Sequence, residues 1–129
     1  MSIRQKVAAL ATSGIVLAGC SGTQDSPART LQSAYEHIAD SEFEDLCELI
    51  DPRTTAALAR WAGSCQAAMA SDFIAPERAA LTDVTVQENF IDIEGDVAKV
   101  GQGGAMTPAG PVTTFKMLIK HDGKWWIAR

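Results

Sequence analysis

Histidine and tyrosine are the scarcest reactive side chains of this 129-residue chain, which has two histidines, His37 and His121, and one tyrosine, Tyr35. Three cysteines complete the set, none spaced C-x-x-C, and no cluster of His and Cys assembles a metal site from them. Long apolar runs are also missing. The longest, Val7 to Gly19, is interrupted by Thr12 and Ser13 and falls short of the roughly 20 residues that a membrane-spanning helix needs. Positive charge is in deficit, with 11 Lys and Arg against 16 Asp and Glu. An acidic surface is repelled by phosphate backbones and by anionic headgroups, which argues against nucleic acid as a partner. The length leaves room for one core only. The balance of 47% apolar and 21% charged residues is that of a folded chain rather than a disordered one.

The start of the chain has its own pattern. Arg4 and Lys6 precede the apolar run, and "LAGC" at 17–20 follows it, the outline of a secretory signal. The four residues resemble the bacterial lipobox, in which small residues precede a cysteine that receives diacylglycerol before cleavage. The resemblance implies a signal peptide over 1–19, lipidation of Cys20 with two or three acyl chains, and a membrane-anchored, extracytoplasmic lipoprotein. Two chains hold firmly where one does not, at about 0.8 kcal/mol per buried CH2. Without Arg4 and Lys6 the remainder has nine basic residues against sixteen acidic, a balance of −7. Residues 20–26, small and polar, read as a tether reaching at most about 20 Å when extended and about 13 Å as a flexible coil.

From Ser26 the period becomes helical. Ser26 and Pro27 supply a cap and a first position, and Leu31, Ala34, Tyr35 and Ile38 make an apolar stripe. Ser41 and Glu44 read as a capping box before Phe43, Leu46, Cys47 and Ile50. Asp51 and Pro52 open a third helix with Leu58, Trp61, Ala62 and Cys65 as its stripe, continuing to Phe73 with a break at Gly63 and Ser64. With Cys20 lipidated, Cys47 and Cys65 remain as a pair in an oxidising compartment. A structural disulfide is the expectation, stabilising by about 3 kcal/mol in the entropic account. The alternatives are a redox pair and metal ligands. The acids Asp40, Glu42, Glu44, Asp45, Glu48 and Asp51 read as helix-dipole partners and a solvated face, since they lack calcium-loop spacing.

After Pro76 the period shortens towards two. Val84 to Ile93 reads as a strand with a bulge near Glu88 and Asn89, Val97 to Gly101 as a second, and Val112 to Lys120 as a third. In the third, Phe115, Met117 and Ile119 share one face. The turn "HDGK" leads into Trp125 to Ala128, and the short links favour an antiparallel meander. "GQGGAMTPAGP" at 101–111 joins two strands and lacks the Lys-Ser or Lys-Thr pair of a phosphate loop, so it reads as a hairpin loop. Asp92 and Asp96 read as turn residues, and His37 and His121 as surface side chains.

The pieces "AYEHIADSEFEDLCELIDP", "GDVAKV" and "DGKWWI", with Cys47 and Cys65, resemble the nuclear transport factor 2-like superfamily, particularly small exported lipoproteins of high-GC Gram-positive bacteria. The likeness runs over most of residues 27–129. It implies an α+β fold, with N-terminal helices packed on a curved antiparallel sheet that forms a cone with a pocket at its open end. Tyr35, Trp61 and Phe115 are the candidate pocket residues. No catalytic or metal-ligating residue matches the superfamily's enzymes, and no cofactor is implied. The expected function is binding of a small apolar ligand or an envelope protein. A cofactor-independent isomerase or dehydratase-like enzyme is the alternative, and a homodimer through the sheet would occupy an accessible tryptophan. The anchor has a direct test. Mass spectrometry of protein from a lipoprotein-processing bacterium should show a chain beginning at an acylated Cys20, and Cys20→Ala should abolish the acylation. A product beginning at Met1 without fatty acid contradicts the assignment.

Overall fold

The computed structural model describes residues 26–129; the expected signal peptide, Cys20 and all but the last residue of the expected tether lie outside them. Over the described residues the architecture is α+β, five helices followed by antiparallel sheets. No helix among the described residues is long and apolar enough to cross a membrane. Helix α1 (Pro27–Ala39) starts where Ser26 accepts a hydrogen bond from the Arg29 N–H at 3.1 Å. Its stripe of Leu31, Ala34, Tyr35 and Ile38 is wholly buried. The capping box does not form. Ser41 takes a positive φ of 59°, α2 (Phe43–Cys47) begins without a side-chain cap, and Glu42 turns back to His37 at 2.8 Å.

Asp51 caps α3 (Pro52–Ala62), and Ser64 caps α4 (Cys65–Asp72) after a break at Gly63 with φ 93°. The break stands where the sequence places it, but the stripe does not run across it. Cys65 belongs to a new helix axis, Leu58 and Ala62 supply the packed face of α3, and Trp61 is 73% exposed on its flank. Cys47 and Cys65 form a disulfide with Cα atoms 6.2 Å apart, joining the end of α2 to the start of α4. A further short helix, α5 (Ala75–Ala80), occupies a stretch read as the approach to a strand. Pro76 stands in its first turn, where its missing N–H costs nothing.

Strands β1 (Thr85–Val86), β4 (Ala105–Thr107) and β5 (Gly110–Pro111) form a small sheet in the order β1-β4-β5. Strands β2 (Ile91–Glu94), β3 (Val97–Val100), β6 (Met117–His121) and β7 (Lys124–Ala128) form a four-stranded antiparallel meander in the order β2-β3-β6-β7. The expected bulge is a 3-10 turn over Glu88–Phe90. The loop at 101–111 is largely the β4–β5 hairpin, which leaves the meander to pair with β1. Its entry requires glycine. A Cβ on Gly104 would lie 2.7 Å from Val100 Cγ1 and 3.0 Å from the Gly101 carbonyl.

The third strand begins later than expected, and Phe115 does not share the face of Met117 and Ile119. Phe115 lies ahead of β6 and is buried, while within β6 it is Leu118 that faces the core beside Ala98 and Ile127. Met117 is 39% exposed and Ile119 shares its outward face. Residues 115 and 118 are an odd number of positions apart, so one continuous strand cannot bury both. The chain bends at Thr114 instead, and the strand begins only at Met117. Trp125 is buried and Trp126 faces outward on the next strand, as alternation demands.

Two sheet edges are closed by side elements. Along β7 the segment Leu49–Asp51 runs parallel, with Ile127 N–H donating to Leu49 O at 2.8 Å and Asp51 N–H to Ile127 O at 2.9 Å. Along β1 a single side chain replaces a strand. Gln32 of α1 accepts from the Val86 N–H and donates to the Val84 carbonyl, both at 2.9 Å. Removing it orphans two partly buried backbone groups, so Gln32→Ala should destabilise the fold by about 1–3 kcal/mol in urea unfolding. A loss below the error of that measurement would show that water replaces the amide.

Candidate binding cleft

Between α5 and the β4–β5 hairpin lies a cleft of about 420 Å3, within the size range of small-molecule sites. Phe73, Ala80 and Leu81 line one wall, and Pro111 and Val112 the other. Glu77 is the single ionisable residue among its lining side chains. Arg78 holds the first wall in place by donating to the Phe73 carbonyl at 2.8 Å, which pins the turn into α5. The opposite wall is fixed where Val112 N–H donates to Ala105 O at 2.8 Å.

An aromatic chain leads from the cleft into the core. Phe73 is tilted against Phe115 with centroids 6.3 Å apart, and Phe115 against Tyr35 at 5.3 Å. Two of the expected pocket residues, Tyr35 and Phe115, are thus brought together behind the cleft rather than lining it. Trp61 joins neither; it stands on the exposed flank of α3. The Tyr35 hydroxyl accepts from the buried Phe115 N–H at 3.4 Å. Burial raises its pKa above the ordinary phenol value, against the lowering effect of hydrogen bonds with Phe115 and Thr114. A phenol so enclosed is a packing group with a satisfied polar tip.

A second groove, of about 570 Å3, is lined by the charged side chains of Asp51, Arg53, Asp72 and Arg129 together with Leu58. Arg129 pairs with Asp72 at 3.1 Å and lies over the Phe73 and Phe115 rings at 5.6 and 6.0 Å. Asp51, read from sequence both as the opening of α3 and as one of a set of helix-dipole and solvated acids, is its cap and only 5% exposed. Its carboxylate accepts from the Arg53 backbone N–H at 3.2 Å and from the Arg53 guanidinium at 3.0 and 3.2 Å. Burial pushes its pKa up, but the Arg53 hydrogen bonds and the charges of Arg53 and His121 outweigh this and hold it below the usual carboxylate value. His121 brings Nε2 to 3.6 Å from Asp51 and stacks on Trp126 with centroids 5.2 Å apart and planes 11° from parallel. Sequence placed His121 at a turn; its docking onto the cap of α3 depends on the Leu49–Asp51 pairing, which no local pattern announces.

A third groove of about 650 Å3 runs beside Ser41–Asp45 and Ser64–Ala70. At its end His37, Glu42 and Asp45 place potential ligand atoms within 4.8 Å of one another, the one such cluster found among the described residues. His37 Nδ1 already shares a 2.8 Å hydrogen bond with Glu42, so a cation there would have to displace it. Comparison with protein-family models, with curated proteins and with solved structures returns no match to this chain.

Proposed function

We propose that the chain is a lipid-anchored extracytoplasmic binding module, built on a nuclear transport factor 2-like frame, whose cleft between α5 and the β4–β5 hairpin takes a small apolar ligand. The observation that carries the reading is the cleft's lining, mostly apolar on both walls, with the threonines Thr107, Thr113 and Thr114 and one carboxylate, Glu77. Such a surface discriminates by shape and by exclusion of water rather than by a network of polar contacts. The lipobox-like "LAGC" and the short polar segment after it support a position close to a bilayer, where apolar ligands are concentrated. The order of helices then antiparallel sheet supports the frame. The acid–base alternative has less support, since Tyr35 lines none of the three grooves described and its hydroxyl accepts from the buried Phe115 N–H.

A neutral fluorescent naphthylamine tests the cleft. Its emission should rise and shift to the blue on binding, and Ala80→Arg, which places a long cationic side chain at an exposed lining position, should weaken binding at least about tenfold. The far-UV circular dichroism should be unchanged. No enhancement with the unmodified chain, or equal binding by Ala80→Arg, contradicts the proposal.

A further inference from the structure

The outer edge of β2 differs from the edges closed by Gln32 and by Leu49–Asp51. Among the described residues no strand or side chain pairs with it. The ladder phase identifies its free groups. Gly101 N–H donates to Phe90 O at 2.9 Å, and hydrogen-bonded pairs alternate along an antiparallel ladder. Asp92 with Lys99 and Glu94 with Val97 are therefore the bonded pairs of β2 and β3. The N–H and C=O of Ile93 and the C=O of Ile91 point away from the sheet; the Ile91 N–H is taken by the Glu88 carbonyl.

The side chains along this edge define what would fit it. Ile91 and Ile93 share the inner face, and Ile93 is 51% exposed there. Asp92 and Glu94 share the outer face and are exposed, with Glu88 and Asp96 beyond the two ends of the strand. Lys99 lies opposite Asp92 in register, and among the described residues it makes no ion pair within 4.0 Å. A second copy is a poor occupant. Antiparallel pairing of two β2 strands about Ile93 sets Asp92 opposite Glu94 twice, and like charges directly opposite are destabilising. We infer that the open edge of β2 is a strand-addition site for an extended partner segment in which basic residues, facing Asp92 and Glu94, alternate with apolar ones, facing Ile91 and Ile93. Main-chain bonds to Ile93 would supply the attachment and the two carboxylates the selection. This inference does not rest on the cleft or its ligand.

Two short peptides test it on the full-length chain in non-ionic detergent, one alternating lysine with valine and one alternating glutamate with valine. The lysine peptide should shift the Ile93 amide resonance and slow its hydrogen exchange about tenfold, while the glutamate peptide leaves both unchanged. Asp92→Lys with Glu94→Lys should exchange the two preferences, and Ile93→Pro, which deletes the donor, should abolish binding. Because Ile93→Pro can also disturb the fold, the charge reversal at exposed positions is the deciding variant. Equal response to both peptides, a response that misses Ile91 to Glu94, or self-association through Ile93 without peptide overturns the inference.

Discussion

The burial of Phe115 against Tyr35 sets the arrangement of the sheet half. Phe115 is out of phase with the strand that follows it, yet truncating a buried Phe costs about 3–5 kcal/mol. The chain therefore bends at Thr114 and enters the strand only at Met117, so that Phe115 and Leu118 both reach the core. The bend exposes the Phe115 N–H to the interior, where an unpaired donor would cost about 1–3 kcal/mol. The Tyr35 hydroxyl accepts it. One side chain of α1 thus fills the core and satisfies the backbone break that the core requires.

That contact propagates to the surfaces. With Leu118 inward, Ile127 and Trp125 follow it and Trp126 turns out, where His121 stacks on it and Lys124 lies 4.3 Å from its centroid. Ile127 inward also brings β7 alongside Leu49–Asp51, which carries the Asp51 cap and ties helices to sheet. On the other side Phe115 supports Phe73, the floor of the apolar cleft. Cleft and second groove share this foundation, so changes at Phe115 are expected to reach both.

Much of the helical half is legible because its signals are local. Ser26-Pro27, Asp51-Pro52 and Gly63-Ser64 act within a turn of where they stand. The stripe of α1 is read from spacing alone, and the Asp122-Gly123 turn takes positive φ at both residues, as a tight hairpin needs. The disulfide follows from there being two cysteines besides Cys20. The misreadings arise where distant segments decide. Ser41 and Glu44 have the capping-box spacing, but the return from α1 forces Ser41 into a left-handed turn. Trp61 fits the period of a longer helix than the one that forms. The departure of Phe115 from the face of Met117 and Ile119 follows from a tyrosine 80 positions away, and the cleft joins 73–81 to 107–114, which no window of sequence spans.

The Tyr35–Phe115 contact makes the Phe115 amide the place to look. It belongs to no strand or helix, yet it should exchange with deuterium as slowly as Leu118 in β6. Tyr35→Phe, which keeps the ring and removes the acceptor, should speed its exchange by at least about tenfold with smaller effects at Leu118. Rapid exchange at Phe115 in the unmodified chain, or protection unchanged by Tyr35→Phe, would contradict the account.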